Sequence, residues 1–446
     1  MSSPAAGAAG PTVPGVVPRR QVVAWCTWDW GSAAFNAVMT TFIFTVYLTG
    51  AVGKDLPGSI SATSWLSWAM AAAGLVVAVL APVLGGRSDA AGRRRFSLAV
   101  WSAVVTVCTA GCFFVRDEYQ YLWLGLLLLA VGTVAFELAN VPYYAMLRQV
   151  STPETIGRVS GIGWACGYFG GIVLLLLCNF GFIAGDGPTR GFLDVPTEGG
   201  LNIRLVAVFA AVWFGGCALP VLFAVPELPP DGTAHRRGIV GAYRELFATI
   251  GSLWREDRNV VWFLVSSAVF RDGLAATFTF GAVLAHSVYG MSESTVLLFG
   301  VAANVVAALG AVIAGRFDDR IGPKPVIVTC LVGMLVAGTV LLFVRGEAMF
   351  WVFGLMLTVF VGPAQSSARS MLARMTVPGR EGQMFGLYQT TGRAASFLGP
   401  ALFGLFVWAF GTDRAGIGGI IVVLALGLLL LARVRPARDR ALAGAS

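Results

Sequence analysis

Asp29, Glu137, Arg271 and Asp272 are ionisable side chains set inside long apolar runs of this 446-residue chain. A charge at membrane depth costs several kcal/mol unless it is paired or watered, so such residues mark a polar path through lipid. Asp29 sits in "WDWGSAAFN", with Trp25, Trp28 and Trp30 around it in the manner of an interfacial belt. Asn36 lies seven residues on and shares its helix face, with Ser32 between and Thr40 beyond. Glu137 is deeper in its run; Asn140 and Tyr144 continue its face, and Pro142 permits a kink. Gln365 and Arg369, and again Gln389 and Arg393, stand four apart and so on one helix face. The chemistry these types support is reversible protonation and hydrogen bonding. A carboxyl in a partly dry cavity holds its proton more tightly, so protonation can be linked to binding of a solute. Asp272 and Glu137 are the candidate proton carriers. The plainer alternative is a static pair, Asp272 with Arg393 or Glu137 with a backbone or Asn partner. The depth of Asp29 suits a gate or an interface.

The runs that hold these residues dominate the composition: 57% of the chain is hydrophobic and only 12% charged. Soluble domains carry about 25% charged residues, so a water-soluble globule of this size could not hide so much apolar surface. Disorder, a nucleic-acid-binding fold and a disulfide scaffold are excluded on the same ground. Twelve windows reach the ~20 apolar residues that a membrane crossing needs. They lie near 24–48, 62–84, 96–115, 121–147, 159–183, 203–225, 259–284, 294–316, 325–344, 349–372, 384–410 and 416–434. Runs such as "LGLLLLAVGTVAF" are continuous, where barrel strands would alternate. The expected fold is an all-α integral membrane protein. The seven cysteines fall inside apolar runs and read as small packing residues, with no zinc spacing. His235 and His286 have no partner at ligand spacing, and no phosphate-binding Gly-rich loop occurs. No enzyme, cofactor, metal site or nucleic-acid partner is expected.

Of the 31 Lys and Arg, 23 fall in alternate loops on the side of the termini and 6 in the others, with Arg271 and Arg393 inside spans. That bias predicts both termini in the cytoplasm. The chain divides into a tail (1–23), a six-helix half (24–225), a linker (226–258), a second six-helix half (259–434) and a second tail (435–446). The linker opens with "PELPPDG" and then places Ile239, Tyr243, Leu246, Phe247, Ile250, Leu253 and Trp254 at helical spacing, as in an amphipathic helix on the membrane surface.

The two halves repeat a loop. Gly85, Asp89, Gly92 and Arg94 in "GGRSDAAGRRR" recur as Gly315, Asp319, Gly322 and Lys324 in "GRFDDRIGPKP", at a constant offset of 230. Glycines allow a tight turn and close helix approach, and the Asp can cap a neighbouring helix or pair with an arginine while that side is shut. These loops are candidate gates. The pattern resembles the signature loop of the major facilitator superfamily, and the resemblance extends over the twelve-span, two-half layout. Ala90 follows Asp89 where that family often has a basic residue, whereas Arg320 follows Asp319, so the second gate is expected to be the stronger. In a facilitator arrangement the first, fourth, seventh and tenth helices line the cavity, which would gather Asp29, Asn36, Glu137, Asn140, Asp272 and Gln365.

Segments "WDWGSAAFNAVMTTFIFTVYLT", "GYFGG", "FRDGLAATFTFG", "GPAQSSARSMLARM" and "REGQMFGLYQTTGRAASFLGP" together resemble the autophagy-linked vacuolar amino-acid effluxer family, in its prokaryotic branch. The resemblance implies a major facilitator fold and, for fungal members, export of neutral amino acids. The expectation is a monomeric, multi-pass plasma (inner) membrane secondary transporter working by alternating access. Its cargo would be a small polar organic solute, with amino acids among the candidates, and protons would drive it. A drug or secondary-metabolite exporter is the alternative, and a lipid scramblase the alternative of another class.

Overall fold

The computed structural model describes residues 17–228, 244, 248, 250–255 and 257–436. Lipid offers no partners for backbone N–H and C=O groups, so continuous apolar runs resolve as helices that satisfy their own backbone. Among the described residues twelve are long and apolar enough to cross a membrane, the first six being α1 (Arg19–Val52), α2 (Ala62–Ala90), α3 (Arg94–Phe114), α4 (Tyr119–Arg148), α5 (Ile156–Ile183) and α6 (Glu198–Ala224). The second half follows with α7 (Arg258–Ser287), α8 (Thr295–Ile321), α9 (Pro323–Phe343), α10 (Glu347–Met375), α11 (Glu381–Phe410) and α12 (Asp413–Ala432). Most of the linker, including Ile239, Tyr243, Leu246, Phe247 and His235, lies outside the described residues. At its far end Trp254 is exposed and packs on Trp262 of α7, with ring centroids 6.3 Å apart.

Departures from regular helix in α1 and α11 bear on the site. In α1, wide π-type turns run over Ala34–Phe42 and Leu48–Val52. They spread the backbone around Asn36, whose carbonyl accepts from Thr40 Oγ1 at 2.8 Å and Thr41 Oγ1 at 2.7 Å. Helix α11 is broken between Ala395 and Leu398. Pro400 explains the break, because its ring excludes the carbonyl of Ser396 from the helical ladder.

The tryptophans around Asp29 correct the belt reading. Trp25 and Trp28 are fully buried inside the first half. They sandwich Tyr143 of α4, at centroid distances of 4.6 and 4.2 Å. Trp28 Nε1 donates to Ser102 Oγ at 3.1 Å, and Trp25 Nε1 to the Tyr143 carbonyl at 3.0 Å. Tyr and Trp tolerate dry surroundings when their polar tips find partners, so this stack clamps α1, α3 and α4 together.

Candidate functional site

The halves meet along α2–α11 and α5–α8, and the ion pairs bridging them form three tiers from the termini face inward. The outermost tier is the pair of repeated loops. Gly92 and Gly322 turn the chain with φ of +64° and +88°, the left-handed region that favours glycine. Asp89 Oδ2 accepts from Gln383 N at 2.9 Å, at the start of α11. Asp319 Oδ1 and Oδ2 accept from Gly157 N at 2.7 Å and Arg158 N at 3.2 Å, at the start of α5. Each repeated aspartate thus caps the N-terminus of a helix in the opposite half, where the partial positive charge of the helix stabilises it. The glycines permit this approach: a Cβ on Gly85 would fall 2.1 Å from the Gly382 carbonyl oxygen, and one on Gly315 2.7 Å from that of Gly157.

Arginines complete both loop clusters, the candidate gates, with different partners. Arg94 Nη2 bridges Asp89 Oδ1 and Glu381 Oε2, each at 2.6 Å, and all three side chains are buried. Arg148 Nη1 donates to the Thr376 carbonyl at 2.6 Å. In the second gate Arg374 Nη2 reaches both Asp318 and Asp319 at 3.3 Å, and Ser370 Oγ donates to Asp318 Oδ2 at 2.5 Å. Arg320, the residue on which the stronger second gate was expected to rest, is exposed at the end of α8. Lys324, the counterpart of Arg94, donates instead to the Val434 carbonyl at 2.5 Å. Glu381 and Arg374 belong to these two clusters but lie outside the repeated loops, and Asp318, although inside the second loop, has Ser88 as its counterpart in the first, so the shared motif does not single it out.

The second tier joins Asp29 of α1 to Arg369 of α10 at 3.2 Å. Arg369 belongs to a span interior, not to the positively charged loop next to it, and is 1% exposed. Its Nε donates to Ser160 Oγ at 3.0 Å and its Nη2 to the Ser160 carbonyl at 2.7 Å. Trp25, Tyr143, Tyr144 and Trp164 surround the guanidinium, with ring centroids 4.8, 5.8, 5.2 and 5.7 Å from Cζ. Gly163 makes the room, since a Cβ there would stand 2.7 Å from Trp25 and 2.8 Å from both Arg369 Nη2 and Asp29 Oδ2.

The third tier lies deeper. Glu137 is roughly 16 Å of helix from the Arg148 end of α4, whereas Arg369 is roughly 9 Å from the Met375 end of α10. Glu137 Oε1 pairs with Arg393 Nη2, and its Oε2 accepts from Gln389 Nε2 at 2.6 Å. The other end of that amide accepts from Arg271 Nη2 at 3.3 Å, and Arg271 stacks 3.8 Å over the Tyr388 ring. This tier is accessible: the Arg393 and Glu137 side chains are 34% and 17% exposed. Arg393 is therefore the partner of Glu137 and not of Asp272. Asp272 turns away, 8% exposed, and its Oδ2 accepts from Gly399 N at 2.5 Å where the second segment of α11 begins. Asn140 is buried in α4, Gln365 half-buried in α10, and Asn36 exposed on α1. The structure thus unites Glu137, Gln389, Arg271 and Arg393, and leaves Asp29 and Asp272 in separate settings.

A family model described as "Vacuole effluxer Atg22 like" matches residues 17–444. The Bacillus subtilis protein YxiO, described as an MFS-type transporter, is 23% identical over 424 residues, covering 93% of this chain and 95% of that one. Autophagy-related protein 22 of Cryptococcus neoformans is 28% identical over 309 residues, 64% of this chain and 54% of that protein. Among solved structures, the proton:xylose symporter XylE superposes with a TM-score of 0.72 at 14% identity, covering 94% of this chain and 96% of that one. FucP in its outward conformation gives 0.70 at 9% identity, with coverage of 94% and 99%.

Proposed function

Because the chain belongs to the Atg22-like effluxer family and has the major facilitator fold, we propose that it moves a small polar organic solute, amino acids among the candidates, by alternating access with proton coupling. The observation that carries this reading is the Glu137–Gln389–Arg271–Arg393 network, partly exposed at Glu137, Arg271 and Arg393 with Gln389 buried between them, which joins the halves above gates held shut at the termini face. Solute entering from the opposite side meets donors and acceptors at mid-depth, and rearrangement of the Glu137–Arg393 pair releases one half from the other. Glu137 is the better proton carrier of the two candidate carboxylates, because it is reachable and its partner lies across the seam. Asp272 is engaged by a backbone N–H within its own half. The concentration of arginines on the termini face supports a cytoplasmic location for both termini in a plasma membrane.

The test is uptake of labelled amino acids into proteoliposomes with and without a pH gradient, beside a lipid-flipping assay. Solute uptake that rises with the gradient supports the reading. Lipid flipping without solute uptake rejects it.

A further inference from the structure

Arg369, Arg393 and Arg271 present guanidinium groups inside the bundle beyond the repeated loops, and their surroundings differ in one respect. Arg369 faces the carboxylate of Asp29, and Arg393 faces that of Glu137. Arg271 has neutral partners: the Tyr388 carbonyl and the Gln389 amide oxygen, both at 3.3 Å, and the face of the Tyr388 ring. Both hydrogen bonds are at the long end of the useful range, and a guanidinium has five N–H donors to place. The carboxylate next in sequence does not compensate it. Successive helical residues diverge by ~100°, and Asp272 is directed at Gly399 N.

The seat of Arg271 is built for it. Gly392, one turn on from Tyr388 in α11, leaves the space that the guanidinium occupies, since a Cβ there would stand 3.2 Å from Arg271 Nη1. Tyr388 is 3% exposed and holds the plane of the group from beneath, while Arg271 itself is half-buried. A cation held in a partly dry site by neutral groups favours an anion from solution. A planar guanidinium with free donors matches a carboxylate in bidentate geometry. We infer that Arg271 is the receptor for a carboxylate on the cargo, and that the cargo's polar remainder lies toward Gln389 and Glu137, one amide away. This inference rests on the transporter reading of the same site. It narrows the cargo to organic acids and zwitterions, excluding uncharged sugars and purely cationic drugs.

The experiment uses the purified full-length protein and pairs of small acids with their neutral primary amides, such as leucine with leucinamide and lactate with lactamide. Xylose serves as an uncharged polyol. Binding is read from the ligand concentration that gives half of the maximal shift in thermal unfolding. The wild type is expected to prefer at least one acid over its amide by tenfold or more. In Arg271→Gln that preference falls below twofold, while Arg271→Lys keeps part of it. The ligand-free unfolding temperature of each variant reports whether the fold survives. The acid-to-amide ratio is a selectivity that a merely structural arginine would not set. Equal binding of acid and amide by the wild type overturns the inference without any variant, as does a panel in which no acid binds. An unchanged ratio in Arg271→Gln overturns it too. If xylose or another uncharged solute is transported while no acid binds, the transporter reading stands and the assignment of Arg271 fails.

Discussion

The α1–α10 and α4–α11 tiers are each a carboxylate–arginine pair across the same seam, yet their surroundings give them opposite properties. In Asp29–Arg369 the guanidinium is enclosed by four aromatic rings and both backbone and side chain of Ser160, with the arginine side chain 2% and the aspartate side chain 13% exposed. Glu137–Arg393 lies open on one side and continues through Gln389 to a third charged group. Burial strengthens an ion pair's geometry and raises the penalty for breaking it, whereas exposure leaves it exchangeable. On the proposed mechanism the Asp29–Arg369 tier therefore holds the halves together, and the Glu137–Arg393 tier is where they come apart.

That difference can be broken experimentally, beginning with the buried pair. Asp29→Asn strands the Arg369 guanidinium in its aromatic enclosure, and removing one partner of a buried pair costs on the order of 3–5 kcal/mol. Thermal unfolding of the detergent-solubilised protein should fall by several degrees, with transport lost. Gly85→Val, whose Cβ would meet the Gly382 carbonyl oxygen at 2.1 Å, should stop the first gate from closing. A cysteine placed at Arg87 or Arg380 would then lie far from α11 or α2 respectively, as spin-label distances would report. Glu137→Gln is expected to lower unfolding stability by about 1 kcal/mol or less, because the pair is partly solvated. It should nonetheless abolish accumulation driven by a pH gradient while solute exchange persists, and retained gradient-driven accumulation would place the proton elsewhere. Asp272→Asn should do least. The amide oxygen can still accept from Gly399 N, and losing the charge at a helix N-terminus costs about 0.3–1 kcal/mol. Loss of gradient-driven transport in Asp272→Asn, with Glu137→Gln unaffected, would reverse the two roles.

The twelve spans and the repeated gates were legible because lipid enforces continuous apolar runs and because the Gly and Asp positions recur at one offset. Glu137, Gln389, Arg271 and Arg393 stood out for a related reason, as charges or amides within spans. Their partners did not. Which carboxylate meets Arg393 depends on how α4 and α11 are rotated about their axes, and no local pattern records that rotation. Arg369 stood out by its spacing from Gln365, but it also lies next to a loop rich in arginines and counts there as a topology signal, so its pairing with Asp29 was not legible. Trp25 and Trp28 misled in the reverse sense. Tryptophan near a span end commonly marks an interface, and only the positions of Ser102 and Tyr143, distant in sequence, show that both rings are interior.

The central claim is that the halves rock about the mid-bundle tier, so that one end closes as the other opens. Paired spin labels test this most directly, one pair at the exposed positions 87 and 380 across the first gate and another at the exposed positions 59 and 412 at the opposite end. Across a change of pH or addition of a transported solute, the account predicts that the 87–380 distance lengthens as the 59–412 distance shortens. Distances that stay fixed, or that lengthen together, would contradict it.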